Sequence, residues 1–219
     1  VGGAPPGGGK GKALLGDGPP PYYETGHSLG LRSDGTIAAW GYNEYGQCEV
    51  PAPNAQFTAV AAGITYSMGL KYDGSIVAWG RNDDGQCDVP APNTGFVAIA
   101  AGWKHSLALR ADGSVAAWGA SDVGQLVVPS PNAGFVAIAS GFDHGLALRA
   151  DGSLAAWGRN DHGQGVPLSS NAFYTAVTGG LGHTVGLLKG GGADAWGLND
   201  DAQCGLPVPN REFVVVAAG

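Results

Sequence analysis

The feature that most constrains the fold of this chain is an internal repeat with a period of 39 residues. Trp-Gly dipeptides recur at that spacing, and columns of Gln, Asn and an aromatic residue keep the same phase. The columns are Trp40, Trp79, Trp118, Trp157 and Trp196; Gln47, Gln86, Gln125, Gln164 and Gln203; Asn54, Asn93, Asn132, Asn171 and Asn210; and Phe57, Phe96, Phe135, Tyr174 and Phe213. Columns in register over five copies indicate one unit repeated five times, and we interpret the Trp column as structural repeat positions.

Each unit predicts three antiparallel strands, with room for a short fourth. In the third unit, FVAIAAG (96–102) is a short apolar run typical of a buried strand. HSLALR (105–110) alternates between apolar and polar side chains, and Asp112-Gly113 favours a tight hairpin before the return strand SVAAWG. Because one such sheet is not stable alone, we predict an all-β fold, a β-propeller of five 39-residue units.

The two ends of the chain predict how the ring closes. The first unit has GPPPYYE before His27, where the other units carry an apolar strand, and the chain ends in EFVVVAAG (212–219), which matches the missing strand. We expect this C-terminal strand to pair with the strand that starts near Thr25 and so to close the propeller. Residues 25–219 then form the propeller, and residues 1–24, of which 13 are Gly or Pro, form a flexible lead-in.

Composition excludes several classes of function. The net charge of −7 argues against nucleic-acid binding, which needs a basic surface. No apolar run approaches the roughly 18 residues of a membrane-spanning helix. The three cysteines form no evident disulfide framework. We therefore expect no nucleic-acid partner, no membrane and no cofactor, while the sequence does not indicate a cellular compartment.

The ordered segments ALRADGSVAAWG, GQ and FVAIAAG resemble the regulator of chromosome condensation repeat family, over residues 25–219. The short units are similar to those of the bacterial β-lactamase-inhibitor propellers. The resemblance implies a β-propeller, seven-bladed in most members although five units are counted here, that acts as a non-enzymatic protein-interaction scaffold. Nothing in the chain resembles the GTPase-contacting insertions of the eukaryotic member, and the negative charge argues against chromatin binding.

Three further columns carry reactive side chains. The histidine column could place imidazoles around the axis for a metal ion, but Tyr occupies it in one unit, so we favour a packing or hydrogen-bonding role and expect no metal site. The cysteines share one phase on different blades, too far apart to pair, and are interpreted as buried free thiols. The acidic column follows Asn or Ser and favours turn formation over a calcium loop. These columns are His27, Tyr66, His105, His144 and His183; Cys48, Cys87 and Cys204; and Glu44, Asp83, Asp122, Asp161 and Asp200.

Four residues are candidates for binding another protein. Trp103 falls outside the Trp column and is either an exposed contact residue or partly covered by a neighbouring loop. Asp83, Asp84 and Asp161 lie in the NDDGQ-type turns, and we expect that end of the blades to be negative and to steer a basic partner. We predict that Trp103 lies at the opposite end, with the Asp-Gly hairpins, and that the protein is a monomer.

The alternative is a catalytic or carbohydrate-binding propeller with its site in the fifth unit. Gly190-Gly191-Gly192 replaces the Asp-Gly turn there, Ala202 replaces a Gly, and Asp194 enters an apolar strand column. Atypical terminal repeats are also common in repeat proteins without any site. A charged cluster beside Asp194 in an axial pocket would favour the alternative. The sequence itself shows no catalytic constellation.

Overall fold

The computed structural model describes residues 26–168 and 172–219, so the predicted lead-in at residues 1–24 lies outside the described residues. Fourteen β-strands follow one another along the described chain. They are β1 (His27–Leu31), β2 (Ile37–Gly41), β3 (Phe57–Ala62), β4 (Tyr66–Lys71), β5 (Ile76–Gly80), β6 (Phe96–Ala101), β7 (His105–Arg110), β8 (Val115–Gly119), β9 (Phe135–Ser140), β10 (His144–Arg149), β11 (Leu154–Gly158), β12 (Tyr174–Gly179), β13 (His183–Leu188) and β14 (Ala193–Gly197).

The strands form five antiparallel sheets, one for each repeat unit. Over residues 26–168 and 172–219, blade 1 consists of β1 and β2, whereas blades 2 to 5 each have an inner, a middle and an outer strand in chain order. The predicted all-β propeller of five units is confirmed. The segments after the Gln column add no fourth strand in the described residues. No helix in the same ranges is long and apolar enough to cross a bilayer.

Asp-Gly hairpins join the middle and outer strands, as the sequence predicts. In blade 3 the carboxylate of Asp112 accepts hydrogen bonds from the backbone N–H and the hydroxyl of Ser114, at 2.9 and 2.7 Å. Gly113 adopts a φ of +80°, a conformation that glycine reaches without steric cost. The hairpin is therefore determined by residues within four positions of one another.

Each blade packs against the next through the Trp and Gln columns. The indole N–H of Trp118 in blade 3 donates to the backbone carbonyl of Gln86 in the preceding unit, at 2.9 Å, and Ser106 Oγ donates to the same carbonyl at 2.8 Å. The same indole bond is formed by Trp79, Trp157 and Trp196. These four Trp side chains are buried, whereas Trp40 of blade 1 is 57% exposed.

The apolar core lies between blades rather than within them. One cluster combines Met68, Leu70 and Ile76 of blade 2 with Phe96 and Trp118 of blade 3. Equivalent clusters occupy the other junctions. Since every junction repeats the same contacts, the rotation from one blade to the next is set by the repeat itself.

The predicted ring closure by the C-terminal strand is not formed. β1 pairs only with β2, and no hydrogen bond joins residues 212–219 to β1 in the described chain. Instead, Phe213 N donates to Gly191 O at 2.8 Å, the bond that Phe96 makes to Gly74 in blade 3, and Leu181 N donates to Gly219 O at 3.3 Å. Residues 212–219 thus lie beside blade 5, where the inner strand of a following blade would lie. They reach this position because the contacts between one blade and the next are the same at each junction.

Candidate protein-interaction face

The blades have two ends that differ in chemistry. The hairpin face contains the connections between middle and outer strands, residues 32–36, 71–75, 110–114, 149–153 and 188–192. The turn face contains the inner-to-middle turns, residues 63–65, 102–104, 141–143 and 180–182, and the segments that follow each outer strand, residues 42–49, 81–88, 120–126, 159–165 and 198–204.

The prediction that Trp103 lies with the hairpins is wrong, because it lies on the turn face. An inner strand and an outer strand run in the same direction on either side of an antiparallel middle strand, so both end at the same edge of the blade. Ala120 N accordingly donates to Lys104 O at 2.9 Å, and Lys104 Nζ lies 3.3 Å from Asp84 Oδ2 of the neighbouring unit. The aromatic candidate and the acidic candidates therefore share one surface.

The negative charge of the protein is concentrated on this turn face. It carries ten carboxylates and only three Lys or Arg side chains, whereas the hairpin face carries four carboxylates and five Lys or Arg side chains. The turn-face acids are Glu44, Glu49, Asp83, Asp84, Asp88, Asp122, Asp143, Asp161, Asp200 and Asp201, and the bases are Arg81, Lys104 and Arg159. The predicted negative end is present in the structure.

The three acids singled out from the sequence are each paired with a base. Arg81 Nε lies 2.6 Å from Asp83 Oδ2, and Arg159 Nε lies 3.0 Å from Asp161 Oδ2. Lys104 forms the corresponding ion pair with Asp84. Asp83 and Asp161 still expose about two thirds of their side chains (67% and 66%), so these pairs reduce the local charge without covering it.

Six exposed acids on the same face have no ion pair within the described ranges. Glu44, Glu49 and Asp88 accept a hydrogen bond from a neighbouring Tyr or Asn side chain, whereas Asp122, Asp200 and Asp201 have no such side-chain donor in those ranges. Sequence reasoning did not select Asp122, Asp200 or Asp201 for binding. The available signal was the residue two positions before each acid of the column, which is Arg in units 2 and 4 but Ala120 and Leu198 in units 3 and 5. Carboxylates with neither an ion pair nor a side-chain donor are thus found in units 3 and 5.

The sequence predicts that Asn and acidic side chains both stabilise these turns, but within the described ranges the acids of the column make no hydrogen bond to the turn backbone. The preceding Asn makes such a bond: Asn82 Oδ1 accepts from Cys87 N at 2.8 Å, and Asn43, Asn160 and Asn199 make the equivalent bond. Buried Gln side chains support the same loops, as where Asp84 N donates to Gln86 Oε1 at 2.9 Å. The acids of the column therefore lie on loops that Asn and Gln side chains hold in place.

An apolar pocket of about 310 Å³ opens on the turn face near the propeller axis. Ile64, Trp103, Phe142 and Leu181 line it, each following a glycine of an inner-to-middle turn. The rings of Trp103 and Phe142 stack with centroids 4.4 Å apart. A second pocket of about 320 Å³ lies on the other side of Trp103, Phe142 and Leu181 and includes Arg159 and His162.

The histidine column connects neighbouring blades, in accord with the hydrogen-bonding interpretation. His144 Nε2 lies 3.1 Å from Thr184 Oγ1 of blade 5, and His27 makes the equivalent contact with Ser67. His105 Nε2 lies 3.0 Å from Ser140 Oγ, at the end of the inner strand of blade 4. Tyr66 donates to His105 O at 2.5 Å and accepts from the Ser106 hydroxyl. Burial lowers the pKa of His105 and His144 to about 4, so both rings are neutral at pH 7.

The remaining candidate groups are accounted for by local structure. The cysteines are free and half-buried rather than fully buried, and the Cys87 thiol donates to Arg81 O at 3.3 Å. In the ranges 26–168 and 172–219, no group of three or more His, Cys, Asp and Glu side chains could hold a metal ion. Asp194 lies away from the axial pocket and accepts a hydrogen bond from Tyr174 Oη at 2.9 Å.

Solved structures with the same fold come from proteins of diverse organisms. Prp20p of Saccharomyces cerevisiae matches with a TM-score of 0.70 at 22% identity, over 84% of this chain and 58% of its own. Human WBSCR16 matches with a TM-score of 0.70 at 22% identity, over 88% and 67% of the two chains. The ectodomain of the Physcomitrella patens receptor kinase CR4 matches with a TM-score of 0.75 at 23% identity, over 88% and 55%. The chain thus spans less than two thirds of the length of Prp20p.

No curated protein matches the sequence. The family model of the Regulator of chromosome condensation (RCC1) repeat matches four segments, residues 25–47, 57–86, 96–125 and 135–164. These segments make up just over half of the chain and coincide with the strands and Trp-Gly turns of blades 1 to 4. With five registered units, a propeller fold and this match, the chain belongs to the RCC1 repeat family.

Proposed function

We propose that this protein is a non-enzymatic interaction module whose turn face binds a basic segment of another protein. The observation that carries the proposal is the separation of charge: the turn face has seven more carboxylates than Lys and Arg side chains, and the hairpin face has one fewer. Trp103, Asp83, Asp84 and Asp161 all belong to this face. A negative surface accelerates association with a positive one, and the effect weakens with salt.

The fold is compatible with this role. Prp20p, a protein with the same fold, has binding properties to Gsp1p and histones. The same-fold comparison supports a protein partner in general terms. The catalytic or carbohydrate-binding alternative has less support, because Asp194, its main candidate, is engaged by the Tyr174 hydroxyl on the sheet.

Two triple variants with the same change in net charge test the proposal. Asp122→Asn, Asp200→Asn and Asp201→Asn remove three charges from the turn face, at exposed acids that make no ion pair in the described chain. Tyr72→Lys, Ala111→Lys and Ala150→Lys add three positive charges at exposed positions of the hairpin face. Both variants differ from the natural chain by +3, so only the location of the change differs.

The two variants and the natural protein are immobilised and used to capture proteins from a cell extract, and association rates of captured proteins are then measured at two salt concentrations. We expect captured partners to be basic, to associate more slowly with the turn-face variant at low salt, and to associate normally with the hairpin-face variant. Equal association with the natural protein and the turn-face variant would contradict the proposal.

A further inference from the structure

The inner-to-middle turns carry a column of side chains that the repeat does not hold constant. Position 64 of unit 2 and its equivalents are Ile64, Trp103, Phe142 and Leu181, four different large apolar residues. The framework columns, by contrast, keep Trp or Gln in all five units. A framework residue meets the same environment at each junction, so its identity repeats. The side chains at positions 64, 103, 142 and 181 lie outside the contacts that repeat at each junction, so the repeat does not determine which side chain stands there.

These four residues surround the axial pocket of about 310 Å³. The pocket is held open by backbone contacts between neighbouring blades: Trp103 N donates to Phe142 O at 2.9 Å, and Phe142 N donates to Gly180 O at 3.1 Å. The ring stack of Trp103 on Phe142 adds to this rigidity. A preformed pocket loses little conformational entropy when it is filled. Its volume is at the small end for ligand sites, which suits a side chain rather than a larger ligand.

The axial pocket suits an apolar group better than a cation. Lys104 Nζ already lies over the Trp103 ring, 4.6 Å from its centroid, so a second cation in the pocket would be repelled. No charged side chain lines the axial pocket itself. Acids without an ion pair lie on the same face, at Asp122 and Asp200, outside the pocket. The surface therefore combines an apolar hole with a negative surround.

We infer that the axial pocket receives one large apolar side chain of a basic peptide segment, with Lys or Arg side chains on either side of it directed towards the turn-face acids. Residues 64, 103, 142 and 181 then determine which apolar side chain is accepted. This inference rests on the proposed binding of a basic partner at the turn face and specifies the chemistry of the partner.

Two capped peptides serve as probes, Lys-Lys-Phe-Lys-Lys and Lys-Lys-Ala-Lys-Lys, with affinities measured by titration calorimetry at low salt. Burial of the Phe ring should make the first peptide bind about tenfold more tightly, equivalent to about 1.4 kcal/mol. Trp103→Ala and Leu181→Ala should each reduce that ratio to about threefold or less, since a truncated pocket wall removes contacts with the ring. Leu181 is 58% exposed, so its truncation leaves the fold intact even where Trp103→Ala perturbs it. Tyr72→Ala on the hairpin face, where the side chain is 87% exposed, is the matched control and should leave the ratio unchanged.

The outcomes separate the two proposals. Equal affinity of the two peptides, with binding that weakens in salt and in the turn-face triple variant, would overturn the pocket inference and leave the acidic binding face standing. A preference for Phe that survives Leu181→Ala would also overturn the inference. If neither peptide binds, both the pocket inference and the basic-partner proposal are wrong.

Discussion

At the scale of single residues, the histidine column shows how one position can serve the same purpose with different chemistry. His144 reaches Thr184 of the next blade through Nε2, and Tyr66 reaches the Ser106 hydroxyl from the equivalent place in blade 2. Both side chains bridge two blades, but only the imidazole titrates near neutral pH. The presence of Tyr66 in the histidine column is enough to predict a structural role for that column from the sequence, since Tyr is a poor replacement for a metal-ligating His.

This column makes stability depend on pH in a defined window. Burial lowers the pKa of His105 and His144 from 6.5 to about 4 in the folded protein. Between those values the unfolded chain binds more protons than the folded chain, so the free energy of unfolding should fall as the pH is lowered from 6.5 to 4, and should be insensitive to these groups above 6.5. Hydrogen bonds from Thr36 and Ser114 lower the pKa of Asp34 and Asp112 in the hairpins, so these carboxylates affect stability mainly at the acid end of this window and below it.

His144→Tyr tests the assignment, since Thr184 can offer its hydroxyl to Tyr as Ser106 does to Tyr66. Urea unfolding of the natural protein and the variant at pH 5 and pH 7.5 should show a smaller loss of stability on acidification for His144→Tyr. An identical loss in both proteins would mean that His144 does not contribute to the pH dependence.

At the scale of the elements, blade 5 departs from the repeat in two places that compensate for each other. Tyr174 stands where the other four members of the aromatic column are Phe, and Asp194 stands where the outer strands otherwise have Ala or Val. The Tyr hydroxyl donates to the Asp194 carboxylate at 2.9 Å. Asp194, which the sequence offered as part of a site, is thus one half of a hydrogen-bonded pair within a sheet.

The pair predicts a strong coupling between two substitutions that restore the repeat. Tyr174→Phe alone leaves a half-buried carboxylate without its donor, which should lower the free energy of unfolding by about 1–3 kcal/mol. Adding Asp194→Ala should recover much of that loss, because neither polar group then remains. Chemical denaturation of the two single variants and the double variant measures the coupling. Additive effects would show that the hydrogen bond does not matter for stability.

At the scale of the whole molecule, the blades form an array in which each unit is stabilised mainly by its neighbours. The indole bonds, the apolar clusters and the histidine bridges all cross junctions between blades. Blade 1 has no inner strand among the described residues, and its Trp40 is the exposed member of the column. Local stability should therefore decrease from the middle of the array towards blade 1.

Hydrogen exchange measures that gradient directly. Because β1 pairs with β2 alone in the part of the chain that the structure describes, the amides of β1 and β2 should exchange at least about tenfold faster than those of β7 and β8 in blade 3. Mass spectrometry of peptic fragments resolves the two regions. Equal protection in blades 1 and 3 would contradict the gradient and would show that another segment covers β1.

The sequence by itself determined the features that arise within one unit. The period of 39 residues, the Asp-Gly hairpins and the short apolar strands predict an all-β propeller, because turn chemistry and side-chain alternation act between residues close in the chain. Burial of Trp118 could also be anticipated, since a column kept in every unit meets the same packed environment.

Only the tertiary structure decided how the units relate to one another. It placed Trp103 on the acidic face, brought Lys104 of one unit within 3.3 Å of Asp84 of its neighbour, and left residues 212–219 beside blade 5 with no hydrogen bond to β1 in the described ranges. Each of these depends on the path of antiparallel strands and on the rotation between blades. The strand path and the rotation between blades arise from contacts between units 39 residues apart, so they cannot be derived from residues that are neighbours in the sequence.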